Sequence, residues 1–171
     1  MKRKTSTSGF TLLELILVML ILTTVLGLSG PSLKGFFSMR QIDAAAAQIV
    51  ALTKFAQSQA VCEGRTYRLT LDVVNRTYWL TVQDQGAFVD PETEWGRVFQ
   101  LPEGVGLEVR DFKTKGLLYY VDFSPMNRTT PGLIRLSTFK GERYNIMCRS
   151  ATEAFVLIDE SEVEYENEHR S

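Results

Sequence analysis

Apolar and polar positions divide the chain into three regimes. From Phe10 to Leu28 the residues are apolar almost without interruption, and Glu14 is the one charged side chain among them. A helix of that length rises ~28 Å, close to the hydrocarbon thickness of a bilayer. A short polar leader with Lys2, Arg3 and Lys4 precedes it, and basic residues on that flank favour keeping the N-terminus cytoplasmic. From Ser32 the pattern becomes amphipathic. Ile42, Ala45, Ala46, Ile49, Leu52, Phe55 and Ala56 recur every three or four residues, with Gln41, Asp43, Gln48, Lys54, Gln57 and Gln59 on much of the other side. This spacing predicts a helix with one core-facing stripe, running to about Cys62 and stopping near Gly64. Between the two helical regimes, Gly27, Gly30 and Pro31 predict a kink or local melting at Leu28–Pro31.

Beyond Gly64 the period shortens to two. Tyr67, Leu69 and Leu71, then Tyr78, Leu80 and Val82, alternate with polar or amphipathic residues around a turn at Asp72–Arg76, which predicts a hairpin over 66–83. Residues 84–96 read as a loop. Four acids make calcium worth considering there, but no calcium-loop spacing is present and a solvated loop is the simpler reading. Further strands are predicted at Val98–Leu101, Val105–Val109, Tyr119–Phe123, Gly132–Ser137, Tyr144–Cys148 and Phe155–Asp159. The tail after Asp159 is strongly acidic and reads as a frayed terminus, with a last edge strand as the alternative. The expected architecture is α+β: one long helix, transmembrane in its first half and amphipathic in its second, packed on antiparallel β-sheet.

The apolar run is too long for an ordinary secretory signal and lacks an Ala-x-Ala-like cleavage site. A plain anchor accounts for its length but not for Glu14, because an ionisable group in lipid is costly and points to a partner. The stretch Gly9-Phe10-Thr11-Leu12-Leu13-Glu14, behind a basic leader and ahead of the apolar run, resembles the prepilin processing motif of type IV pilins and type II secretion pseudopilins. The resemblance implies cleavage after Gly9 by a membrane prepilin peptidase, methylation of the new terminus at Phe10, and use of Glu14 in docking the subunit into a filament. Pro31 falls where many members of that family bend their first helix.

Val121 to Asp159 is similar to the end of the H-type minor pseudopilin domain, a domain shared with a minor pilin of DNA-uptake systems. Phe123, Pro125, Gly132, Ile134, Leu136, Gly141, Tyr144 and Ile146 occupy corresponding places, while Met126-Asn127 and Thr152-Glu153 depart from the turn residues usual there. The expected division is a cleaved leader (1–9), a transmembrane helix (10–30), an amphipathic continuation (31–63), a periplasmic β-rich domain (64–160) and an acidic tail (161–171). The implied role is that of a structural subunit of the type II secretion pseudopilus, with a minor type IV pilin of pilus assembly or DNA uptake as the alternative. It would sit as a single-pass protein of a Gram-negative inner membrane with its C-terminal domain in the periplasm. The implied partners are other minor and major pseudopilins at the pseudopilus tip, the prepilin peptidase and the inner-membrane assembly platform.

Composition changes this picture little. The 171 residues fit one domain plus an anchor, and the formal charge of −1 falls by three more once Lys2, Arg3 and Lys4 leave with the leader. An acidic chain has no global attraction for nucleic acid, although Arg128, Arg135, Lys140, Arg143 and Arg149 form a modest basic set that a DNA-binding minor pilin would need. Cys62 and Cys148 are spaced wrongly for a metal knuckle; a disulfide and two separate buried thiols both remain open. His169 is the sole histidine and lies in the tail. No nucleotide-binding or nucleophile-elbow motif is present, so neither catalysis nor a cofactor is expected.

Overall fold

A computed structural model describes residues 10–169, with side chains along the first helix described for 12–27 and 40–63. The chain divides into two compact units, Met1–Met39 and Arg40–Ser171. One helix, α1 (Leu12–Glu63), contributes to both and continues through Leu28–Pro31. Of the kink or local melting expected there, the melting is not seen. A proline removes one intrahelical hydrogen bond, and the helix is long enough to carry that loss.

In the second unit, α1 supplies the predicted stripe, with Ile42, Ala45, Ala46, Ile49, Leu52 and Ala56 buried, and Thr53 and Ala60, which were not predicted, join it. Phe55 lies at the edge of that stripe, half-buried, with its ring stacked on Trp95 at 5.2 Å and edge-on to Tyr67 at 6.4 Å. The helix ends where Gly64 takes a left-handed φ of 66°.

Ten strands follow: β1 (Tyr67–Asp72), β2 (Thr77–Asp84), β3 (Ala87–Val89), β4 (Phe99–Gln100), β5 (Val105–Arg110), β6 (Lys113–Lys115), β7 (Leu118–Phe123), β8 (Gly132–Thr138), β9 (Arg143–Cys148) and β10 (Val156–Ile158). They form two antiparallel sheets. The first has the order β3-β2-β1-β7-β6, with β4 also pairing on β2, and the second the order β10-β9-β8-β5. Alternate residues of the strands meet the helix stripe in one core that includes Leu69, Leu80, Val121, Ile134, Leu136 and Ile146.

The predicted hairpin is β1–β2, with Tyr67 opposite Val82 and Asp72 opposite Thr77. Its turn is held by Asp72, whose carboxylate accepts from the backbone N–H of Asn75 at 2.9 Å and from its side-chain amide at 2.7 Å. Part of the expected 84–96 loop is strand instead. Gln85 and Gly86 both have positive φ, 45° and 89°, the signature of a two-residue hairpin turn that brings β3 back onto β2. The strands around Pro102–Gly104 do not pair with each other: β4 joins β2, and β5 crosses to the second sheet beside β8. Where Met126-Asn127 departs from the usual turn residues, Asn127 takes the left-handed conformation at φ 56°, one of the few residue types that tolerate it.

The acidic tail is helical over Glu160–His169, in place of the frayed terminus or edge strand expected there. In α2 (Glu160–His169), Val163 is buried against Leu133 and Met147 on the outer face of the second sheet. Acids at Glu160 and Glu162 occupy its first turn, where the helix dipole favours negative charge.

Candidate assembly site

The head of α1 carries the residues singled out by the processing motif. Thr11 precedes the first helical residue, and its Oγ1 accepts the backbone N–H of Glu14 at 3.3 Å. Thr11-Leu12-Leu13-Glu14 thus has the residue types and spacing of an N-terminal capping box. The motif is written in the sequence, and sequence reading overlooked it because Glu14 already had a role. Phe10 lies just outside the helix and is 77 % exposed. Gly9 falls outside the described residues.

From Leu12 to Leu26 every large apolar side chain is exposed within the single chain. The two hydroxyls of this stretch are satisfied internally. Thr23 donates to the carbonyls of Met19 at 2.9 Å and Leu20 at 3.0 Å, and Thr24 to those of Leu20 at 3.1 Å and Ile21 at 2.8 Å. A helix built this way turns nothing polar outward except one carboxylate. Glu14 has no side-chain partner among the described residues. Among those residues no helix is long and apolar enough to cross a membrane; the described side chains of the apolar run end at Gly27, short of the ~20 residues a span takes.

The second unit presents a different surface. On the outer face of the second sheet, Glu160 of α2 gathers three groups. Asn145 Nδ2 donates to it at 2.8 Å, and Arg135 and Arg143 each reach it at 3.1 Å. Arg135 also donates to Asn145 Oδ1 at 2.8 Å and lies 3.5 Å from Glu108, which accepts from Arg110. The Asn145 hydrogen bond first, and then the two guanidinium groups, hold the Glu160 carboxyl below its ordinary range. Arg149 pairs with Glu162 in the same way. Three members of the basic set are therefore engaged by acids of α2. Lys140 stands at the β8–β9 turn and Arg128 in the β7–β8 connection, so the set does not form one cationic face.

The disulfide is not formed. Cys62 and Cys148 are both free, Cys62 exposed near the end of α1 and Cys148 buried. The Cys148 thiol lies 3.1 Å from the carbonyl of Ser150 and 3.3 Å from that of Glu153, and burial pushes its pKa up to about 11. Of the two buried thiols that were the alternative, only Cys148 is buried, because Cys62 falls on the helix face away from the stripe. Among the described residues no group of three acidic, histidine or cysteine side chains converges as a metal site.

The long helix on two antiparallel sheets is the fold of type IV pilin-like subunits. The structure aligns with a minor pseudopilin, EpsH, from the type 2 secretion system of Vibrio cholerae (TM-score 0.59, 11 % identity, 69 % of this chain and 96 % of that one). It aligns also with the type IV minor pilin FimU of Pseudomonas aeruginosa (TM-score 0.55, 14 % identity, 74 % and 94 %). At such identities these likenesses establish the fold. No curated protein matches the chain by sequence. Residues 45–152 match the family described as type II transport protein GspH. The chain belongs to that family, the H-type minor pseudopilins of type II secretion, as the C-terminal resemblance implied. The family is a structural one, and membership implies association with other pseudopilins.

Proposed function

We propose that the chain is an inner-membrane precursor that becomes a minor subunit of the pseudopilus once the prepilin peptidase has cut after Gly9. Residues 10–30 anchor it, and the domain that follows faces the periplasm. Cleavage leaves a methylated ammonium on Phe10. Glu14 of one subunit then pairs with the terminal ammonium of its neighbour as the apolar helix exchanges lipid for the helices of other subunits. The observation that carries this reading is the isolation of Glu14. Among the described residues 12–27 it is the one outward polar group on an exposed apolar stretch whose threonines are closed on their own backbone. A carboxylate left without a partner in a dry bundle is strongly destabilising, so subunits at the correct stagger are favoured over all others. The globular domain sits near the filament tip and helps the short pseudopilus to drive folded proteins outward across the outer membrane.

The test is the mass of the mature protein from cells that express the peptidase. The expected N-terminus is methylated Phe10, and Gly9→Ala should leave the leader attached. A wild-type chain that still begins at Met1 would refute the processing step. The rival role in DNA uptake predicts salt-sensitive DNA binding by the globular domain, which the acid-paired arginines of the second sheet disfavour.

A further inference from the structure

Three turns at one end of the second unit carry an exposed large apolar side chain. They are Val74 between β1 and β2 (67 % exposed), Leu117 between β6 and β7 (74 %) and Phe139 between β8 and β9 (79 %). Strand register places them together. Asp72 pairs with both Thr77 and Leu118, so the first two turns are neighbours on the first sheet. Leu101 N–H donates to Arg76 O at 2.9 Å, which ties the 102–104 loop to the first turn. Gly104 lies beside the Phe139 ring, and Val105 pairs with Thr138, so the third turn closes the same end. Exposed lysines accompany two of the tips, Lys115 beside Leu117 and Lys140 beside Phe139. This is also the end at which α1 enters the unit. Tyr144, next to the third turn, is hydrogen-bonded to Asp43, and Tyr78, near the first, donates to Gln48 at 3.0 Å.

Chain length says what such an end meets. At ~1.5 Å per residue the helical path from Phe10 to Arg40 rises ~45 Å, and a bilayer with its headgroups is ~40–45 Å thick. With Phe10 at the cytoplasmic surface, a path of that length reaches the opposite headgroup layer at Arg40, the first residue of the second unit. Exposed aliphatic and aromatic side chains accompanied by lysine are the residues that settle at a membrane–water boundary. We propose that the turns bearing Val74, Leu117 and Phe139 rest on the periplasmic headgroup layer while the subunit waits for assembly, so that the occupant of this surface is lipid. The proposal rests on the anchor reading given above.

Spin labels on the full chain, reconstituted in phosphatidylethanolamine–phosphatidylglycerol vesicles, test it. Cys62→Ser removes the exposed thiol, and single cysteines are placed at 20, 117, 126 and 139. Met126, at the opposite end and 83 % exposed, is the water control. The ratio of oxygen to nickel-chelate accessibility should be severalfold higher at 117 and 139 than at 126, and highest at 20. A membrane-like value at 20 with 117 and 139 equal to 126 overturns the proposal and leaves the anchor standing. A water-like value at 20 overturns both. Labels at 117 and 139 shielded from both reagents would mean a protein contact there and would also overturn it.

Discussion

Gly132 opens β8 under an aromatic ring, and adding a single methyl there should be felt through the whole core. A Cβ at this position would lie 2.0 Å from Phe112 Cε1, 2.2 Å from its Cδ1 and 2.9 Å from the backbone oxygen of Arg110. Ordinary carbon–carbon contact needs ~3.5 Å or more, so the ring must retreat by ~1.5 Å. It has little room: Phe112 is 9 % exposed and meets Phe155 edge-on at 5.9 Å, and Phe155 in turn packs on Phe123 at 6.3 Å. Overpacking of this kind costs ~1–3 kcal/mol. The upper half of that range applies here, because one of the three contacts is backbone and cannot rotate away. For a domain of this size Gly132→Ala should lower the melting temperature by roughly 6–12 °C. Near-ultraviolet circular dichroism of the full chain in detergent measures it. Phe112→Leu, which shortens the ring's reach, should cost stability alone yet relieve much of the alanine's penalty, with a coupling of ~1 kcal/mol or more. A Gly132→Ala melt within a degree of wild type, or strict additivity in the double variant, would refute the packing argument.

Glu160→Gln should lower the melting temperature at neutral pH and loosen α2. Because the folded-state pKa of Glu160 lies below its unfolded value, the stabilisation is present above about 4.5 and is lost as pH falls through the folded value, so wild type and variant should converge in acid; a gap constant with pH would exclude the ion-pair explanation. An alkylating reagent at pH 8 should modify Cys62 rapidly and Cys148 only on unfolding, and equal rates in the native protein would contradict the burial of Cys148. Glu14→Leu should be processed and inserted normally but join assemblies poorly in crosslinking experiments, and wild-type incorporation would show that the acid is dispensable.

Much of this structure was legible before any coordinates. The stripe from Ile42 to Ala56 follows the helical period because it has one partner, the sheet pair, over its whole length. The β1–β2 hairpin was visible because its inward residues alternate without exception. Two short strands were not visible: β3 and β6 have three residues each and form only because β2 and β7 offer open edges. The second helix was missed for a related reason. Its composition argues for solvation, and one inward residue among those described, Val163, with two carboxylates aimed at arginines, decides otherwise. Both contacts are long-range and leave no trace in local pattern. At the head of α1 the reverse holds. Gly9, Phe10 and Glu14 stand out by residue type and spacing, while the geometry adds Thr11, whose hydroxyl sets the start of the helix.

The route of the chain between its sheets has a mechanical outcome. It passes from the first sheet to the second after β4, returns between β5 and β6, and crosses again after β7, so the two layers are laced by three stitches. Phe112 sits in the middle stitch as a knot drawn into the interior. Neither layer can peel away without pulling that knot free. Opening either sheet therefore uncovers Phe112, and the two sheets should come apart in a single cooperative transition.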